Sequence, residues 1–317
     1  MKVLVLGAGA VGGYFGGRLI ESGVDVTFLV RQRRQQQIKE KGLFIKSIHG
    51  DIQLEPKTVV SGEQVTPFDV IIFATKAQHL EGAIQAVEPY VGSETTIIPL
   101  LNGISHIYRL QEVFGKDKIV GGFCFIETTL NEVGHVVQTS KSHQLSFGEI
   151  DGEKSERIEK IQKCFSETGA SFKLSNNILQ DMWHKYLFIT TLSGITTLMR
   201  SSVGPIFEVK NGEKLMLQLF EEVASIMKAA NAPIADGIVE KQMATMKAQH
   251  YNMKASMLRD IEKGISIEAD HLQGYLITLA DRFNLKVPLL RVIYQHLKIY
   301  EINLNKNDRK SIIRRRD

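Results

Sequence analysis

The chain has 317 residues, with 39 Lys plus Arg against 35 Asp plus Glu and a formal net charge of +4. Its 43% hydrophobic and 23% charged residues suit a folded protein with room for two cores, which excludes a disordered or low-complexity chain. The 2 cysteines, Cys124 and Cys164, have no metal or redox spacing, and no apolar run approaches the ~20 residues of a membrane span. A reducing, cytoplasmic setting is expected, with no metal and no membrane association.

Residues 2–6 (KVLVL) read as a central strand buried on both faces, and 10–22 as a helix. Strand, glycine loop and helix at this end do not read as a signal peptide. Between them lies Gly7-Ala8-Gly9-Ala10-Val11-Gly12, a G-x-G-x-x-G. In that pattern Gly7 allows the tight turn, Gly9 lets a pyrophosphate approach the backbone, and Gly12 lets helix and strand pack closely. The helix start offers unpaired N–H groups to phosphate. Glycine turns are common, but this one stands between an apolar strand and a helix, where it specifies a dinucleotide.

Residues 25–30 complete the β-α-β unit. An NAD site usually carries Asp or Glu at the end of this strand. Here Arg31 follows, then Gln32, Arg33 and Arg34. A guanidinium grips a 2′-phosphate that a carboxylate would repel, so NADPH is expected rather than NADH. A solvated basic helix start is the plainer alternative.

Further along, 34–41 reads as a short helix, 43–48 and 52–54 as an inserted hairpin, and 69–74 and 95–100 as buried strands. Thr75-Lys76-Ala77 opens a helix reaching about residue 90, and Leu101-Asn102-Gly103 ends the later strand. Both turns lie at strand carboxyl ends, so Lys76 and Asn102 are placed to line the nicotinamide end, although each could be an ordinary turn residue. Residues 119–129, 134–139 and 144–150 read as three more strands continuing the sheet, 154–168 as an amphipathic helix and 171–174 as a last strand. From residue 176 the pattern turns helical: 178–199, 213–231, 236–247, 253–263, 268–283 and 289–303. The expected architecture is α/β: a Rossmann-type NADP-binding domain over 1–175, then an all-α substrate domain over 176–317, with the active site in the cleft between them. The basic stretch 306–316 reads as a solvated end; no aromatic residue interleaves it, which argues against a nucleic-acid arm.

Reducing a keto group requires a hydride from the cofactor and a proton from the protein. Lys185, in Asp181-Met182-Trp183-His184-Lys185-Tyr186, begins a helix that continues apolar, so its ammonium is expected to be desolvated and its pKa lowered. His184 is an alternative donor on a different helix face. Most lysines are merely solvated.

The glycine-rich start GAGAVGGYFGGRL, Arg31, Thr75-Lys76-Ala77, Asn102-Gly103, Trp183-His184-Lys185, Ser256-Met257-Leu258-Arg259-Asp260 and Glu268 together resemble the ketopantoate reductase (2-dehydropantoate 2-reductase) family. The resemblance implies NADPH-dependent reduction of 2-dehydropantoate to (R)-pantoate, toward pantothenate and coenzyme A. It implies Lys185 as general acid and Glu268 as the residue orienting substrate and lysine. Ser256 would bind the substrate carboxylate or carbonyl, and Asn102 and Lys76 would line cofactor and substrate. Gly7, Ala8, Gly9, Ala10, Val11, Gly12 and Arg31 would hold the dinucleotide. Glu268 as a dipole-favoured helix acid and Ser256 as a helix N-cap are the plainer readings.

The family usually has Asn four and eight residues after the lysine; here stand Ile189 and Ser193, and Met253 and Leu101 replace two further amides. Lost polar partners weaken recognition of a polar substrate. Two alternatives therefore stand: reduction of another 2-oxo acid, or a non-catalytic NADPH-sensing protein. A 2-oxo acid is the expected small-molecule partner and a second copy of the chain the expected protein partner.

Overall fold

In the computed structural model, which describes residues 1–63 and 66–313 and side chains as far as 306, the chain divides into two compact units, Met1–Met182 and Trp183–Asp317.

The first unit is built outward from β1 (Lys2–Leu6), whose Val3, Leu4, Val5 and Leu6 are buried. β2 (Asp25–Leu29) pairs with it in parallel on one side and β6 (Phe68–Phe73) on the other. β5 (Lys57–Val59) and β7 (Val91–Pro99) extend this to the all-parallel order β5-β2-β1-β6-β7. Strand order reverses at β1, so its carboxyl end is the switch point where open α/β sheets bind ligands.

A second sheet runs β10 (Ser171–Leu174), β9 (Val136–Gly148), β3 (Leu43–Ser47), β4 (Ile52–Leu54), with β8 (Gly121–Leu130) paired to β9. Helix α1 (Ala10–Glu21) packs against both sheets, and its two glycine pairs make that possible. A Cβ on Gly12 would overlap the Gly7 carbonyl oxygen, and one on Gly16 would lie 2.6 Å from the Phe28 ring of β2. On the adjacent face a Cβ on Gly13 would lie 2.9 Å from Val136, and one on Gly17 would overlap Ile45. Residues four apart share a helix face, so each pair thins the helix toward one sheet.

The hairpin expected over 43–54 forms as the antiparallel pair β3–β4. The three strands expected to continue the first sheet do not: they are two strands of the second sheet, β8 and the single long β9. Among the described residues, an isolated Ile97–Ile119 bridge links their lead-in to β7. The polar run at 139–143 has the composition of a turn, yet it continues β9, where Ser140 and Ser142 side chains bond nearby backbone. The helix expected from Thr75 starts as a tight turn at Ala77–His79 before α3 (Leu80–Val87). The edge strand β5 and the helix α4 (Ser105–Phe114) have no counterpart in the sequence pattern. Helices α2 (Gln32–Lys41) and α5 (Glu156–Phe165) follow the expected segments; Ser155 caps α5 by accepting from the Ile158 N–H.

Helix α6 (Ile178–Met199) has the expected bounds and carries the division between the units. The helical segments after it are α7 (Val203–Glu208), α8 (Gly212–Ala229), α9 (Ile238–Lys247), α10 (Ser256–Glu262), a π turn at Asp270–Gly274, α11 (Tyr275–Arg282) and α12 (Pro288–Ile313). The buried Glu222 of α8 accepts from the Leu289 and Leu290 N–H groups at 3.2 and 2.9 Å, capping α12. The sequence pattern ends this last helix at residue 303, but it runs on to Ile313. The basic residues at its far end have side chains outside the described residues. Among the described residues no helix is long and apolar enough to cross a membrane.

Candidate active site

The glycine loop leaves β1 with Gly7 at φ +96°, a left-handed conformation suited to glycine. Its N–H donates to the Leu29 carbonyl oxygen at 3.0 Å, tying the loop to β2. A Cβ on Gly9 would meet no heavy atom within 4 Å, so this backbone faces open space. Helix α1 starts there with no side-chain cap and no acid in its first turn. An open backbone at an uncapped positive helix end fits a pyrophosphate.

Arg31 is the N-cap residue of α2 and is exposed, with no side-chain cap bond. Arg34, one turn on, reaches back: Nε donates to the Ala8 carbonyl oxygen at 3.1 Å and Nη1 to the Gly134 carbonyl oxygen at 2.9 Å. Its Nη2 is buried with no hydrogen-bond partner. Burial lowers the Arg34 pKa, yet a guanidinium stays charged at neutral pH. An unpaired buried donor beside the glycine loop suits an anionic group.

Lys76 and Asn102 come to the same sheet edge. In the strand register Leu6 pairs with Phe73 and Phe73 with Pro99, so Gly7, Ala74 and Leu100 leave the sheet at one level. Lys76 is exposed two residues beyond Ala74; Asn102, half-buried, precedes Gly103, which has φ +84°. The structure thus brings Gly7 to Gly12, Lys76 and Asn102 to one edge of the first sheet.

In the second unit Lys185 lies in the second turn of α6 and is only 7% exposed. Its neighbour His184 points elsewhere: Nε2 accepts from the Ala235 N–H at 3.0 Å. That bond requires a lone pair on Nε2, which gives the imidazole a structural role. Glu268 is half-buried just ahead of the π turn, its carbonyl oxygen accepting from the Leu272 N–H at 3.0 Å. Ser256 is the exposed first residue of α10; Ala255 occupies the N-cap position, so Ser256 does not cap.

A family model described as "Ketopantoate reductase PanE/ApbA" matches residues 3–152, and "Ketopantoate reductase PanE/ApbA C terminal" matches residues 177–301. The chain belongs to the ketopantoate reductase family. Its relatives include "Uncharacterized oxidoreductase YkpB" of Bacillus subtilis (strain 168), 44% identical over 95% of this chain and 99% of that protein. The 2-dehydropantoate 2-reductase of Pyrococcus horikoshii is 28% identical over 95% of this chain and 98% of that protein. Among solved structures, a 2-dehydropantoate 2-reductase from Geobacter metallireducens GS-15 is 26% identical with a TM-score of 0.85, covering 94% of this chain and 99% of its own. A D-mandelate dehydrogenase solved with NADH and anilino(oxo)acetate shares the fold: it is 22% identical with a TM-score of 0.86, covering 96% of this chain and 100% of its own.

The protein is therefore an oxidoreductase of the ketopantoate reductase family. At the two positions where the resemblance leads one to expect Asn, Ile189 is half-buried and Ser193 buried. Ser193 Oγ donates to the Thr190 carbonyl oxygen at 3.3 Å and accepts from Gln273 Nε2 at 2.8 Å. Gln273 and Tyr186 belong to no motif in the sequence. The only cue was an amide inside the apolar run Leu272-Gln273-Gly274-Tyr275-Leu276.

Proposed function

We propose that the protein reduces a 2-oxo acid with NADPH, and that 2-dehydropantoate, yielding (R)-pantoate for pantothenate and coenzyme A synthesis, is the first substrate to test. The observation that carries this reading is Lys185, a lysine only 7% exposed, in a chain of this family. Burying an ammonium is costly, so such a residue is kept where its charge is used.

In this reading the backbone at Gly7, Gly9 and Gly12 and the start of α1 hold the pyrophosphate, and Arg31 with Arg34 holds the 2′-phosphate. NADPH, when bound, supplies the hydride. Lys185 donates a proton to the carbonyl oxygen as negative charge develops there. Glu268 orients the substrate hydroxyl and the lysine, Ser256 hydrogen-bonds the substrate carboxylate or carbonyl, and Asn102 and Lys76 line the reacting end. The cytoplasm is the proposed compartment and a homodimer the proposed assembly.

A second reading has a specific support. With Ile189 and a Ser193 hydroxyl already bonded to Gln273, fewer polar groups are offered to a substrate hydroxyl, which favours a more apolar 2-oxo acid. A non-catalytic NADPH sensor is less well supported, because it has no use for both Lys185 and Glu268. The test is nicotinamide oxidation with NADPH and with NADH against a panel of 2-oxo acids that includes ketopantoate. Fastest turnover of ketopantoate supports the first reading and fastest turnover of an apolar 2-oxo acid the second. No turnover of any acid beside tight NADPH binding supports the sensor.

A further inference from the structure

The π turn at Asp270–Gly274 is held from two sides. From α6, the fully buried Tyr186 donates its hydroxyl to the Leu272 carbonyl oxygen at 2.5 Å. From the same helix, the Ser193 hydroxyl and the Thr190 carbonyl oxygen accept from Gln273 Nε2 at 2.8 and 3.4 Å. From α12, Tyr294 and Lys298 donate to the two carboxylate oxygens of Asp270 at 2.6 and 2.8 Å. The Tyr294 ring also closes over Gly274, where a Cβ would come within 3.1 Å. A π turn inside a helix is rare, concentrates at functional sites and persists only where its surroundings hold it.

Leu272 joins two segments. Its N–H donates to the Glu268 carbonyl oxygen at 3.0 Å, while its own carbonyl oxygen receives the hydroxyl of Tyr186, the residue next to Lys185. One residue thereby ties the backbone carrying Lys185 to the backbone carrying Glu268. The phenol suits this position because burial raises its pKa well above the ordinary value, so it remains a neutral donor. Nothing in hydride transfer needs Tyr186 itself.

We propose that Tyr186 is a positioning residue for the reduction: its hydroxyl, anchored on Leu272, fixes the Glu268 segment against the helix that carries Lys185. The proposal rests on the reading of Lys185 and Glu268 given above. Tyr186 acts through Glu268, so its loss matters only where Glu268 is present to be misplaced.

The experiment is a double-mutant cycle of Tyr186→Phe with Glu268→Gln, followed by steady-state kinetics on the 2-oxo acid turned over fastest, with Lys185→Ala alongside. Thermal melting and NADPH titration report folding. Tyr186→Phe is expected to lower kcat/KM about tenfold or more, mostly through a raised KM, on the scale of one lost buried hydrogen bond. Its NADPH affinity should stay within about twofold of wild type. In the Glu268→Gln background the same substitution is expected to change kcat/KM by less than about twofold. Equal losses in both backgrounds would mean a merely structural tyrosine and would overturn the proposal. So would a Tyr186→Phe enzyme within twofold of wild type beside an inactive Lys185→Ala, which leaves the reading of the site standing. Normal turnover by Lys185→Ala, or no turnover of any 2-oxo acid by wild type, overturns that reading and the proposal with it. If Tyr186→Phe does not fold, Asp270→Asn, which loosens the turn from the α12 side, must show the same dependence on Glu268.

Discussion

Arg34 Nε donates to the carbonyl oxygen of Ala8 across 3.1 Å, so the basic start of α2 buttresses the glycine loop directly. Arg31, three residues earlier, carries its guanidinium exposed. The two arginines therefore differ in what their removal should do.

Arg31→Ala is expected to weaken NADPH binding about tenfold or more while changing NADH little, because only NADPH carries the 2′-phosphate. Arg34→Ala is expected to weaken both cofactors, since it also removes the bond that steadies Ala8. Fluorescence titration of both cofactors checks this; equal losses of NADPH and NADH in Arg31→Ala would remove the Arg31 assignment.

The glycines separate binding from folding. A methyl group on Gly9 meets nothing, and its φ of −82° suits any residue, so Gly9→Ala should melt like wild type yet lose NADPH affinity by an order of magnitude. A methyl group on Gly12 meets the Gly7 carbonyl oxygen, so Gly12→Ala should cost roughly 1–3 kcal/mol in overpacking and lower the melting temperature by several degrees. Melting and titration of both variants test the pair. Unchanged NADPH affinity in Gly9→Ala would contradict the pyrophosphate site.

The glycine loop was legible in the sequence because strand, loop and helix are contiguous, and every requirement is local. Helix α6 was legible to the residue because the long, largely apolar run of its second half gives it a strong pattern. The second sheet was not: β3 pairs with β9 across some 90 residues, a choice made by tertiary packing against Gly13 and Gly17 of α1 rather than by local pattern. Arg34 could be read as basic, but not as the residue that reaches Ala8, since side-chain direction depends on the helix start at Gln32. Tyr186 and Gln273 read as core, because a π turn has no periodic signature and their partners lie 80 or more residues away.

His143 offers a pH test within the first unit. Its Nδ1 shares a hydrogen bond with the Tyr14 hydroxyl at 2.7 Å, and its ring stacks on His49 with centroids 3.7 Å apart. Burial, then the charges of His49 and Arg18, push its pKa below the ordinary 6.5. The unfolded chain takes up a proton at this residue at higher pH than the folded one. The stabilisation is therefore complete above 6.5 and is lost as pH falls through 6.5 toward the lowered folded value. Melting temperature should fall between about pH 7 and 5, and His143→Gln should flatten that slope. An identical slope in the variant would assign the titration elsewhere.

The most direct measurement is turnover by Lys185→Ala compared with wild type, using NADPH and the preferred 2-oxo acid, with NADPH affinity measured on both proteins. A positioned acid typically contributes at least ~10²-fold. The expected result is a fall in kcat of that size or more with NADPH affinity nearly unchanged, because the groups assigned to the dinucleotide all lie in the first unit. Near-normal kcat in Lys185→Ala would contradict Lys185 as the proton donor.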